Sequence, residues 1–389
     1  MSVEKSENDS MLNELKALAK SRVTRRSVLA GAGAVGAGSL LSACGGGGAE
    51  ADVRWGNWTL YLDYDSDKKI YPTLEEFTKQ TKITVKYLED YNDNDEFYGK
   101  VQGQLKLKKD IGYDLICPTD WMAARYIRLG YAQKLDKANI PNAKNIISSL
   151  ASVPFDQNRD YSLTWQGIMG GFTWNKEKLP KGVRTLDDLF APANKGKVEV
   201  LTELRDTVGV IMLAQGVDIT KFTSDQYYNA LDFLQKKIAD GFIRQVKGND
   251  YKEDLISGDA VAVIGWSGDA FQLAAENEGK FEFAIPESGG TISADNFIIP
   301  STGKNKAKVE ELINYYYEPE VAAKVAAYVN YITPVQGAQA AMEKVDPTLV
   351  NNELIFPTAK TQSKLHVFRN LTPAEETEFT DAFQKATGN

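Results

Sequence analysis

Histidine and cysteine are nearly missing: the chain has one of the first and two of the second in 389 residues. One histidine, His366, excludes a multi-histidine metal site and leaves only itself for a chymotrypsin-like triad. Cys44 sits at a processing site, so a disulfide to Cys117 is not expected. Cys117, in YDLICPTD, reads as a small buried residue near a strand end rather than a reactive thiol. No Gly-x-Ser-x-Gly elbow, His-Glu-x-x-His or phosphate loop is present, and no cofactor is expected. Hydrolysis by a carboxylate pair stays open, because acids are plentiful. Excess positive charge is also lacking. Lys and Arg number 45 against 53 Asp and Glu, for a net charge of -8. That argues against nucleic acid as a partner and suits a protein that attracts cations. Repeats and coiled-coil heptads are absent. What remains is an ordinary globular composition, 43% hydrophobic and 25% charged, long enough for two domains or one two-lobed domain.

The first 43 residues read as an address. A polar segment leads to Arg25-Arg26, then a mild Gly/Ala-rich run ending at Cys44. That run is too short and weakly apolar to span a bilayer. The order resembles a twin-arginine export signal. Leu41-Ser42-Ala43-Cys44 resembles a lipobox, which implies cleavage before Cys44 and its acylation. Residues 44–51 would then be a flexible tether, reaching on the order of 15 Å. The expected location is the outer face of the cytoplasmic membrane, by a lipid anchor.

Beyond the tether, helical and strand periodicities alternate. Val53 to Trp55 reads as a short buried strand, Leu74–Gln80 as a helix and Ile83–Tyr87 as a strand. YDLICP is a second buried strand, and Trp121–Leu129 a helix. YSLTWQGIMGGFTWN is extended, GKVEVLT a strand, DTVGVIMLAQG an apolar helix and DAVAVIGW a strand buried on both sides. SADNFIIP is a further strand. Two helices, Ala307–Tyr317 and Glu320–Val329, are broken at Pro319, and Thr372-Pro373 opens the last helix. The fold class is α/β, with two lobes and a cleft where strands end. The lobes are expected at 52–165 plus 291–333 and at 166–290 plus 334–389. Hinges are expected near Trp165 to Gly167, Gly290 and Pro334.

VRWGNWTLYLD concentrates aromatic faces near the start of the folded chain. It heads an ordered set: NWTLYLDYD, YDLICPTDWMAARYIRLGYAQKLDK, PFDQNRDYSLTWQG, VIGWSGDAFQ, GGTISADNFIIP and NYITPVQGA. In order and spacing these are similar to the spermidine/putrescine-binding proteins of ABC importers. The resemblance runs from about Val53 to Gly388, and is weaker between Pro180 and Asp250 and past Asn351. It implies a type II periplasmic-binding fold that closes on a polyamine and delivers it to a membrane permease. A monomer is expected.

The resemblance also implies a ligand site. Trp58 and Tyr61 match a cleft Trp-x-x-Tyr, Thr119 and Trp121 a Ser-x-Tyr, and Trp266 a stacking tryptophan. Asp295 matches an amine-binding acid, and Tyr331 a cleft tyrosine. Two positions depart: Leu204 and Thr207 stand where the family has acids, and Ser293 replaces a tryptophan. Glu203 and Asp206 are the neighbouring acids that could substitute. Asp269, three residues after Trp266, is a further candidate, or only a helix cap. Each aromatic also has a plain packing role available, Trp55 and Tyr315–Tyr317 above all. The chemistry is coherent, since a polyamine needs carboxylates for its ammonium groups and aromatic faces for its methylenes. Alternatives of the same fold are binders of sugars, other organic cations or ferric ion. Ferric binders use adjacent tyrosines such as Tyr227-Tyr228.

Overall fold

The computed structural model describes residues 51–388. Cys44, its lipobox and the export signal lie outside the described residues. Tyr64–Pro72 separates as a small unit. Asp65 and Ile70 exchange backbone hydrogen bonds there, Lys68 pairs with Asp65 at 2.9 Å, and the Tyr64 and Tyr71 rings lie 5.1 Å apart.

The rest, Ala51–Asp63 and Thr73 onward, is built on one mixed sheet. Its strands are β1 (Val53–Trp58), β2 (Val85–Tyr91), β3 (Leu115–Ile116), β4 (Ser162–Asn175), β5 (Val198–Leu201), β6 (Ile243–Lys247), β7 (Ala262–Trp266), β8 (Phe281–Ala284), β9 (Gly290–Ile298) and β10 (Leu365–His366). The order is β2-β1-β3-β9-β4-β7-β5-β6, with β10 on β9 and β8 on β4. β1 pairs in parallel with β2 and β3, and β5 with β6 and β7. Between these two parallel groups run β4 and β9, antiparallel to each other. Two α/β units thus share a central pair of long strands, as the alternation of periodicities predicts. β4 shifts register between Thr164 and Gln166, beside the expected hinge.

Local chemistry explains most element ends. Thr185, Thr223 and Thr372 each open a helix with a capping box, closed by Asp188, Gln226 and Glu375. Pro319 does not break a helix. It opens Pro319–Val329, where its missing N–H has no intrahelical partner to lose. YDLICP yields only two strand residues, because the chain leaves the ladder at Pro118 and Thr119 takes the extended position just before the next helix. β2 starts later than its pattern suggests: Lys82 takes φ 65°, and its strand resumes only at Val85.

Each half has its own core. Trp55 is fully buried, within 6 Å of the rings of Trp165, Phe297 and Tyr316. Such aromatic contacts add about 0.5–1.5 kcal/mol per pair beyond burial. The other half packs Phe172, Val200, Val208, Ile211, Leu234 and Val263 together. Segment 334–389 is divided between them. Ala341, Met342 and Ile355 pack on Ala323 and Ala326, while Phe379 of the last helix stacks on Tyr227 at 4.0 Å.

Candidate ligand-binding site

Parallel strands deliver their loops to the same side of a sheet, so residues just past their carboxyl ends converge. They do so here around a cavity of about 490 Å³, part of it open to solvent. Trp58 ends β1, Asp93 and Asn94 follow β2, and Thr119 follows β3. From the other half come Glu203 and Asp206 after β5, Asn249 after β6, Trp266 at the end of β7 and Asp269 after it. The floor is the central pair, with Ile168 of β4 opposite Ser293 of β9, and Asp295 at its end. Tyr61, Thr59 and Tyr331 complete the wall.

Helices begin where these strands end, and their positive N-termini suit anions. Acidic side chains already occupy those ends. Asp93 accepts from the N–H groups of Asp95 and Glu96, at 2.8 and 3.0 Å, and Glu203 from that of Arg205 at 3.3 Å. The lining therefore has five carboxylates, Asp93, Glu203, Asp206, Asp269 and Asp295, and neither Lys nor Arg.

Asp295 is 1% exposed and accepts from the Thr119 hydroxyl at 2.7 Å, which Asn94 in turn supports at 2.9 Å. Burial outweighs these hydrogen bonds and pushes its carboxyl up to about 8. Burial likewise raises Glu203 to about 7 and lifts Asp206 above the usual carboxylate range. Asp206 accepts from the Thr291 hydroxyl and from the Trp266 indole N–H at 2.8 Å. That bond fixes the Trp266 ring, as a 2.8 Å bond to the Cys117 carbonyl fixes Trp58. The two indoles meet edge to face, 6.4 Å apart.

Asp269 is more than a helix cap. It accepts from Tyr251 at 2.9 Å, Tyr331 at 3.0 Å and Lys252 at 3.2 Å. A Cβ at Gly268 would fall 2.3–2.5 Å from the Tyr331 ring, so only glycine lets that tyrosine lie down on the helix start. Tyr331 packs on Tyr61 at 5.0 Å.

Of the ten candidate residues, nine line this cavity, and Trp121 does not. Trp121 donates its indole N–H to Glu203 at 2.9 Å and lies between the guanidinium groups of Arg205, 4.0 Å from its ring, and Arg125, 4.9 Å away. It orients Glu203 from behind. Leu204 and Thr207, at the family's acid positions, are buried, with Leu204 in the core and Thr207 bonded to the Leu201 carbonyl. The acids beside them face the cavity instead. Sequence reasoning missed Thr59, Asp93, Asn94, Ile168 and Asn249, and named Ser293 only as a departure from the family. Asp93 alone had a visible signal, as an N-cap at the end of a strand.

Contacts cross between the two groups of loops. The Thr202 hydroxyl donates to Asp93 at 2.8 Å, and Arg125 and Arg128 pair with Glu376 of the last helix at 3.2 and 2.8 Å. The tyrosine pair offers no iron ligands: Tyr227 donates to the Phe379 carbonyl and Tyr228 to Glu378. Among the described residues no group of three or more His, Cys, Asp or Glu is arranged to hold a metal ion.

Comparison with known proteins agrees with this geometry. Residues 73–356 match the family model for bacterial extracellular solute-binding proteins. The chain is 30% identical over 309 residues to the spermidine/putrescine-binding periplasmic protein of Escherichia coli (strain K12), covering 78% of this chain and 83% of that one. It is 26% identical to the putrescine-binding periplasmic protein PotF of the same organism, covering 85% and 89%. Among solved structures, a spermidine/putrescine ABC transporter substrate-binding protein of Streptococcus pneumoniae superposes with a TM-score of 0.69 at 22% identity, covering 87% of this chain and 98% of that one. The TpPotD lipoprotein of Treponema pallidum gives 0.71 at 19%, covering 87% and 99%. The fold is thus the two-lobed type II periplasmic-binding fold, and the chain belongs to the family of bacterial extracellular solute-binding proteins.

Proposed function

We propose that this protein captures a polyamine outside the cell and delivers it to the permease of an ABC importer. The observation that carries this reading is the cavity lining: five carboxylates and four aromatic rings, without a lysine or arginine. Clustered, desolvated acids are costly when ionised without a counter-charge. An organic dication removes that cost, while its methylenes find Trp58, Tyr61, Trp266 and Tyr331. The buried Asn249 side-chain oxygen, without a hydrogen-bond partner among the described residues, is a further acceptor for an N–H donor. A sugar would gain stacking from the same rings but leave Asp206 and Asp295 without a cation.

In this reading Trp58, Tyr61, Thr119, Trp266, Asp269, Asp295 and Tyr331 contact or orient the ligand, with Glu203 and Asp206 at the second lobe. Trp121 acts through Glu203. The lobes close by bending near Trp165 to Gly167. A lipidated Cys44 would hold the protein beside its permease. The fluorescence of Trp58 and Trp266 offers a test. Micromolar putrescine or spermidine should give a saturable change that sugars and ferric citrate do not. A response to a sugar alone would assign the cavity to a neutral solute.

A further inference from the structure

Resting on the polyamine reading, we infer that the site selects by length for a diamine of four or five methylenes over a triamine. Two of the five acids have neither an ion pair nor a hydrogen bond from a backbone N–H of a helix start, and accept from neutral side chains: Asp206, in the first turn of its helix, and Asp295. Glu203 stands 3.5 Å from Arg205, Asp269 is paired with Lys252, and Asp93 caps a helix and accepts from Thr202. Asn249 offers only a neutral acceptor.

β9 spaces the two free carboxylates. Thr291, Ser293 and Asp295 alternate onto one face, opposite Gly170, Ile168 and Gln166 of β4. Asp295 supplies one carboxylate itself. Asp206 supplies the other by its bond to Thr291. A Cβ at Gly170 would fall 2.9 Å from its Oδ1, so it lies over the Gly170–Thr291 pair. Four strand residues at ~3.4 Å each put the Cα atoms of Thr291 and Asp295 about 14 Å apart, and we take that span as the scale of the gap between the two carboxylates.

An extended amine gains about 1.25 Å per bond from ordinary bond lengths. Each charged N–H···O contact adds ~2.8 Å. Putrescine then bridges about 12 Å and cadaverine about 13 Å between carboxylate oxygens. The terminal nitrogens of spermidine would need about 17 Å. Its middle ammonium would stand over Ile168 and Ser293, where neither free acid lies.

The test is calorimetric titration of the full chain with diamines of three to eight methylenes, with spermidine, and with butylamine. The expected profile peaks at four or five methylenes, with spermidine at least tenfold weaker than the best diamine. Asp206→Asn should flatten the profile toward butylamine, since the amide keeps its shape but not its charge. A flat profile in the parent chain, or spermidine as tight as the best diamine, overturns the length selection and leaves polyamine capture standing. No binding of any amine by a chain with a cooperative thermal transition overturns both.

Discussion

Binding should expel a proton from Asp295. In the empty site burial holds its carboxyl near pKa 8, so at pH 7 it is about nine-tenths protonated. The amines of the ligand, near 10.4 in model compounds, stay charged. An ammonium beside Asp295 favours its ionised form, so its pKa must fall on binding. If it falls to about 5 or lower, each mole bound releases about 0.9 proton at pH 7, and affinity rises about eight- to ninefold from pH 6 to 7 and about fivefold from 7 to 8. Glu203, near 7, adds a smaller release if the ligand also lowers it. Calorimetry at pH 7 in buffers of different ionisation enthalpy gives the proton number as a slope. In Asp295→Asn that slope should lose about 0.9, because the amide has no proton to give. A zero slope in the parent chain, with affinity flat from pH 6 to 8, would refute the buried-acid reasoning.

Three other outcomes follow from the same contacts. The raised Asp295 carboxyl favours the folded empty protein below the unfolded value near 4, and that advantage is lost as pH rises through about 8. Asp295→Asn should therefore gain stability relative to the parent as pH rises from 5 to 8, on the order of 2–4 kcal/mol, by urea denaturation without ligand. Trp266→Phe removes the 2.8 Å bond to Asp206 and shrinks the stacking face. It should weaken putrescine by about ten-fold, with little change in melting temperature. Gly268→Ala forces the Tyr331 ring away from Asp269. It should cost about 1–3 kcal/mol of stability by denaturation and at least about tenfold in affinity.

Much of the fold was legible because its signals are local. Period-two and helical patterns located the strands and helices, and Thr223 and Thr372 announced their helix starts by side-chain chemistry. Trp58, Thr119, Trp266, Asp295 and Tyr331 line one cavity because each sits in or within two residues of a well-patterned element. What failed depends on packing across the fold. Trp121 starts its helix like a cleft residue, yet the guanidinium groups of Arg125 and Arg205, 80 residues apart in sequence, hold it behind Glu203. Ile168 and Ser293 become a floor only because β4 and β9 pair in one register. The fate of Glu203 and Asp206 could not be read from spacing: Leu204 and Thr207 turned inward, and the acids on either side of Leu204 gained the cavity.

The central claim is that an organic dication completes this cavity. Calorimetric titration of the chain with putrescine at pH 8, beside Asp295→Asn, tests it most directly. Expected are one saturable site in the parent chain and at least a hundredfold loss in the variant, both proteins melting cooperatively. Equal binding by the two proteins, or none by a folded parent chain, would contradict it.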